Sequence, residues 1–211
     1  GYALESLRYK YNNWGALTWS FNDCWGEVGW SIIDYYLKRK ISYYYVKGAF
    51  SPLKLIMRVI DGEIRVVGIN DTSDHCRFIL RYGYISFDGK NKDISEISLD
   101  LEPFSRSIVL RFKSEDRDLK KGCYFAAPAE GGTCGQIIQP AILRSGVFRD
   151  LDIPDADIRV SGVVRDGKKL RFTVESSTFA HAVHFGLDDD LRLSDEYFDL
   201  LPGQKRDIEI L

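Results

Sequence analysis

Hydrophobic positions along this chain change their period twice. Over residues 2–11, Leu4, Leu7 and Tyr11 recur at i, i+3 and i+7 with Glu5 and Arg8 between them. That spacing predicts a short amphipathic helix. Asn12 and Asn13 stop it, and residues 15–21 are then small, apolar or aromatic apart from Thr18 and Ser20. Asn22 and Asp23 follow as turn formers. An apolar run bounded in this way predicts a strand buried on both faces, as in a parallel sheet. Over residues 40–50, Ile41, Tyr44, Tyr45 and Ala49 return to i, i+3, i+4 and i+8, and Ser51-Pro52 ends a second helix. Helix, buried strand, loop and helix form the repeating unit of an α/β sheet or barrel. A parallel strand needs neighbours on both edges, so its partner strands are expected outside this chain.

After Pro52 the period becomes two. Ile64, Val66 and Gly68 alternate with Arg65 and Val67, and Phe78, Leu80, Tyr82 and Tyr84 alternate with Ile79, Arg81 and Gly83. Ile97, Leu99 and Leu101 face away from Ser98 and Asp100, and Ile108, Leu110 and Phe112 from Val109 and Arg111. Asp61-Gly62 and Asp88-Gly89 are hairpin turn signals. Short strands separated by turns, completed by residues 122–127 and 135–143, predict an antiparallel sandwich of immunoglobulin-like type. Residues 146–154 read as a linker, and the pattern starts afresh. Ile158 and Val160 open a strand, Asp166-Gly167 turns it, and Leu170, Phe172 and Val174 alternate with Lys169, Arg171 and Thr173. Phe179, Val183, Phe185 and Leu187 share a face, and Ile208 and Ile210 close a second, smaller sandwich. The expected division is 1–52, 53–145, a linker at 146–154, and 155–211. The fold class is mainly β: two immunoglobulin-like sandwiches behind a helix-strand-helix unit.

Composition narrows the function classes. A net charge of -2 offers no electrostatic case for nucleic acid or an anionic membrane. No apolar run approaches the ~18 residues of a membrane span. Residues 1–7 lack the basic head and apolar centre of a signal peptide, and the absence of a leading Met suggests a piece of a longer chain. Cys24, Cys76, Cys123 and Cys134 are too few for a disulfide scaffold. Cys123 and Cys134 have the spacing of a hairpin bridge, although two independent thiols is the simpler reading.

Two motifs carry a family resemblance. Trp19-Ser-Phe-Asn-Asp-Cys-Trp25, then Trp30-Ser-Ile-Ile-Asp-Tyr-Tyr36, Lys40, Tyr44-Tyr45 and Phe50-Ser-Pro52, resembles glycoside hydrolase family 2. The match is to its β-mannosidase and exo-β-glucosaminidase branch, where the last strand of the catalytic (β/α)8 barrel reads roughly Trp-Gln-Leu-Asn-Asp-Cys-Trp-Pro. Independently, Leu193-Ser-Asp-Glu-Tyr-Phe-Asp-Leu-Leu-Pro-Gly203 resembles the signature of that branch's terminal immunoglobulin-like domain. The departures fall on the strand and its loop: Ser20 for Gln, Phe21 for Leu, Gly26 for Pro and, further on, Leu37 for Gly. The resemblance implies that residues 1–52 are the last unit of a (β/α)8 barrel, followed by two supporting sandwiches. It also implies a parent enzyme that hydrolyses terminal β-linked sugars with retention, without cofactor, outside the cytoplasm or in lysosomes.

Retention requires two carboxyl groups about 5–5.5 Å apart. In the family resembled both are glutamates on earlier barrel strands, so no catalytic residue is expected in this chain, whose first 52 residues hold only Glu5 and Glu27. The plain reading of Glu27 is a solvated loop residue. Trp rings stack on the apolar face of a pyranose, and Asn and Asp bind its hydroxyls. Trp19, Asn22, Asp23 and Trp25, at the C-terminal end of the expected strand, are therefore the candidate substrate-binding residues. Each also fits a structural role, packing for the Trp rings and loop capping for Asp23, and Trp19 and Asn22 lean that way. Trp14 and Trp30 are expected in a core. His181 and His184 sit three apart and face opposite sides of a strand, Asp188-Asp189-Asp190 reads as a solvated turn, and Cys24 as a buried thiol. No metal site is expected. The implied partners are an oligosaccharide or glycoconjugate and the rest of the barrel, with no nucleic acid and no membrane. An uncovered 15–21 strand would also invite pairing with another copy. The rival class is a non-catalytic carbohydrate-binding or structural sandwich pair, which has no use for a two-face-buried strand.

Overall fold

In the computed structural model, which describes residues 1–10, 13, 15–26, 29–115, 117–129, 137–167, 169–187 and 191–210, the chain forms two units. One is Ser51–Ile153, and the other joins Gly1–Phe50 to Pro154–Leu211.

In the first of these, the strands are β1 (Leu53–Ile60), β2 (Glu63–Asn70), β3 (Cys76–Ser86), β4 (Lys92–Leu101), β5 (Ser105–Lys113), β6 (Gly122–Pro128) and β7 (Ala141–Leu143). They make antiparallel sheets of order β1-β2-β5 and β4-β3-β6-β7. Asp61 and Gly62 both take positive φ, as a tight hairpin turn between β1 and β2 demands. The alternation read from the sequence brings Leu55, Ile64, Val66, Phe78, Leu80, Leu99 and Leu101 into one core.

β5 departs from it. Val66 pairs with Leu110 but Val67 with Ile108, so Val109 is an extra residue in the ladder. This bulge turns Val109 toward the core and leaves Ile108 exposed, reversing the expectation for both. Gly68 accommodates the change: a Cβ there would lie 2.9 Å from Val109 Cγ1 and 2.6 Å from Leu101 Cδ2. Asn70 is fully buried and fully used, donating to Asp74 O and Leu101 O and accepting from Thr72. Tyr124 donates its hydroxyl to Glu115 O at 3.0 Å, tying the β5–β6 connection to β6 as a tyrosine corner does. Cys123 is a buried thiol, so the hairpin bridge does not form; Cys76 sits in a disulfide that its spacing did not suggest, and Cys134 lies outside the described residues.

In the other unit, β8 (Ile158–Asp166), β9 (Lys169–Ser176) and β12 (Lys205–Ile210) form a sheet of order β12-β9-β8, and β10 (Ala180–Val183) pairs with β11 (Phe198–Leu200). Phe172, Val174, Val183, Phe198, Leu200 and Ile208 fill the core, whereas Leu187 and the apolar side chains of β8 are exposed. Arg206 and Asp195 form a buried ion pair, with the guanidinium 4.4 Å over the Phe198 ring. The helices are α1 (Tyr2–Tyr9) and α2 (Ile41–Ala49), as the apolar stripes predict. Residues 15–21 carry no strand. Just beyond them, isolated bridges pair Asn22 with Ile33 in parallel and Ile33 with Arg39 antiparallel. Without edge neighbours such a segment has no ladder to join. Leu17 and Phe21 are correspondingly exposed, and Trp30, expected in a core, is 91% exposed.

Candidate functional site

The candidate residues lie on the connection from residue 19 to α2. Phe21 O accepts from the amides of Ile32 and Ile33, and Asp23 N donates to Ile33 O, so the two limbs of the loop are stitched together. Around that stitch Trp19 is 90% exposed, Trp25 65% exposed, and Asn22 is also exposed, its amide donating to the adjacent Asp23 O. Asp23 behaves differently, with 7% exposure. Its Oδ2 accepts from Lys40 Nζ at 2.7 Å, and Lys40 Nζ also donates to Ser31 Oγ at 2.8 Å. The Lys40 ammonium, followed by the Ser31 hydroxyl, holds the Asp23 carboxyl below the usual carboxylate range. The four residues therefore divide: three side chains point outward, and one charge is used inside the loop. Cys24, expected to be a buried thiol, is exposed. Trp14 and Glu27 lie outside the described residues.

Lys40 and Ser31 stand in the stretch that carries the family resemblance but were not among the candidate site residues. The available signal was the cost of burying a carboxylate, which requires a cation nearby, and 38–40 is the basic run that follows.

α2 is itself held by the 193–197 strip of the terminal sandwich. Arg39 Nη1 donates to Leu193 O at 3.1 Å, Lys47 Nζ to Ser194 O, and Tyr44 Oη to Glu196 Oε2 at 3.0 Å. His184, just past β10, contacts the same strip, its Nδ1 3.1 Å from Glu196 Oε1, whereas His181 is held by Asp199 at 2.7 Å. Among the described residues no three His, Cys, Asp or Glu side chains gather to hold a metal ion, and Asp188, Asp189 and Asp190 lie outside them. No described helix is long and apolar enough to cross a membrane.

The family model of the mannosidase immunoglobulin-fold domain matches residues 153–211. β-Mannosidase B of Aspergillus terreus is 32% identical over 98% of the chain, and that of Aspergillus niger 21% identical over 98%. Among solved structures, the β-D-mannosidase of Dictyoglomus thermophilum superposes with a TM-score of 0.88 at 30% identity over 98% of the chain. The exo-chitosanase of Amycolatopsis orientalis shares the fold, with a TM-score of 0.66 at 16% identity over 98% of the chain. The chain spans only 28% of each Aspergillus relative, 25% of the Dictyoglomus enzyme and 29% of the exo-chitosanase. Fold and relatives together define a glycosidase-family segment built on immunoglobulin-like sandwiches. The chain is similar, over nearly its whole length, to the C-terminal part of glycoside hydrolase family 2 enzymes of the β-mannosidase branch.

Proposed function

We propose that this chain is the sugar-facing wall and the sandwich support of a retaining exo-β-glycosidase that removes terminal β-linked mannose-type sugars. The reading rests on the outward exposure of Trp19 before, Asn22 within and Trp25 past the stitch of the loop. An indole offers a flat apolar face to the C–H side of a pyranose, and a carboxamide both donates to and accepts from its hydroxyls. The acid/base and nucleophile carboxyl groups then come from the rest of the barrel, which also covers residues 15–21 and Trp30. The terminal sandwich serves the barrel through its 193–197 strip, which grips α2 from outside.

The test is hydrolysis of an aryl β-mannoside by the intact enzyme that carries this chain and, separately, by the 211-residue chain. The intact enzyme is expected to turn over with β-mannose as the first-formed product by NMR, and the chain alone to be inert. Turnover by the chain alone overturns the assignment of both carboxyl groups elsewhere. Absence of turnover by the intact enzyme, with glycan binding by the isolated chain, favours a binding module.

A further inference from the structure

We propose that Lys40 is a positioning residue that holds the sugar-facing loop in shape, with Asp23 as its anchor rather than a sugar ligand. The inference rests on the reading that Trp19, Asn22 and Trp25 meet the sugar.

A lysine ammonium has three donors. Here they reach Asp23 Oδ2 at 2.7 Å, Ser31 Oγ at 2.8 Å and Gly29 O at 3.5 Å. The three acceptors lie on both sides of the loop that carries Trp25, one before it and two after, so a single cation clasps, through side chains, the neck that the Phe21 and Asp23 backbone bonds stitch. The main chain of Lys40 is fixed to the same limb, its N–H donating to Ile32 O at 3.0 Å. Lys40 is also the residue that opens α2, and Tyr43 N donates back to Lys40 O at 2.9 Å. The loop is thereby referenced to α2, which Glu196 holds through Tyr44. Asp23 has little left to offer a hydroxyl: its side chain is 3% exposed and its Oδ2 is committed to Lys40. Asn22 is bridged to Ile33 and its amide donates to Asp23 O, and Trp25 lies two residues past Asp23, so the direction of both depends on the neck. Displacing a substrate-positioning group by about 1 Å can cost up to 10²-fold in rate.

The experiment compares wild type, Lys40→Met, Asp23→Asn and the double variant. On the 211-residue chain, backbone heteronuclear NOE values report order at each amide. Residues 22–26 are expected to match β9 in the wild type and to fall to mobile-loop values in either single variant, with β9 unchanged. Unchanged order at 22–26 in Lys40→Met overturns the proposal. Should Lys40→Met lose the dispersed β9 amides, Asp23→Asn, which keeps the side-chain volume, decides by the same comparison. In the intact enzyme acting on an aryl β-mannoside, each single variant is expected to lower kcat/KM about tenfold, and the double variant no further, because both remove one link. Losses that multiply in the double variant would mean that Asp23 touches the sugar itself, and would overturn its assignment as an anchor. An intact enzyme that hydrolyses no β-glycoside defeats the glycosidase reading alone; the NOE comparison still decides the role of Lys40.

Discussion

The Tyr44 hydroxyl donates to Glu196 Oε2 at 3.0 Å, joining two residues 152 apart in sequence. Burial pushes the Tyr44 phenol up to about 12, so it remains a donor across the ordinary pH range. On the far side of Glu196, the His184 ring stacks on Tyr197 at 4.8 Å, and Tyr197 in turn packs 5.6 Å from Tyr44. The 193–197 strip of the terminal sandwich is therefore a grip on α2.

Tyr44→Phe removes the donor while keeping the ring, and is expected to destabilise its unit by about 1–2 kcal/mol at pH 7, read by urea unfolding. Because the folded phenol titrates above its unfolded value, the contribution is complete below about pH 10. It disappears as pH rises through about 12. A variant as stable as wild type at pH 7 would contradict the grip.

Breaking the buried Arg206–Asp195 pair from one side strands a charge. Asp195→Ala or Arg206→Met is expected to cost about 3–5 kcal/mol, and the double variant much less than the sum. Thermal unfolding of all three checks this.

Lys40 and Ser31 hold the Asp23 carboxyl below its ordinary range, so its ion pair contributes above about pH 4 and is lost as pH falls through the lowered midpoint. The ¹³C carboxyl titration of Asp23 is expected to show that lowered midpoint, and Lys40→Met to return it to the ordinary range. A midpoint that ignores Lys40→Met would refute the pairing.

The bulge in β5 assigns opposite values to neighbouring side chains. Val109→Ala, which empties space in the core over Gly68, is expected to cost about 1.5 kcal/mol, and Ile108→Ala less than about 0.5. Equal costs in denaturant unfolding would mean a regular strand.

Leu17, Trp19, Phe21, Trp25 and Trp30 form a run of exposed large apolar side chains. Such surface on a chain by itself favours association. Light scattering is expected to show mass rising with concentration, and Leu17→Glu with Phe21→Glu to suppress it.

Both helices, the hairpin turns and the inward faces of most strands were legible in the sequence, because each depends on residues a few positions apart: an apolar stripe at i, i+3 and i+4, a Gly accepting positive φ, or side chains alternating across a pleat. The signatures around Trp19–Trp25 and Leu193–Gly203 were equally local, and they carried the family. The bulge at Val109 was not legible, because Ile108, Val109 and Leu110 are all apolar and only the space over Gly68 selects which two turn inward. The strand expected at 15–21 shows the opposite limit. Its sequence has the composition of a buried strand, but a strand is completed by its neighbours, and no described residue supplies them. The same holds for Asp23, which from sequence reads equally as a sugar ligand or a loop anchor. Only the arrival of Lys40 from seventeen positions away commits its carboxylate to the loop, because a buried charge takes the nearest opposite one.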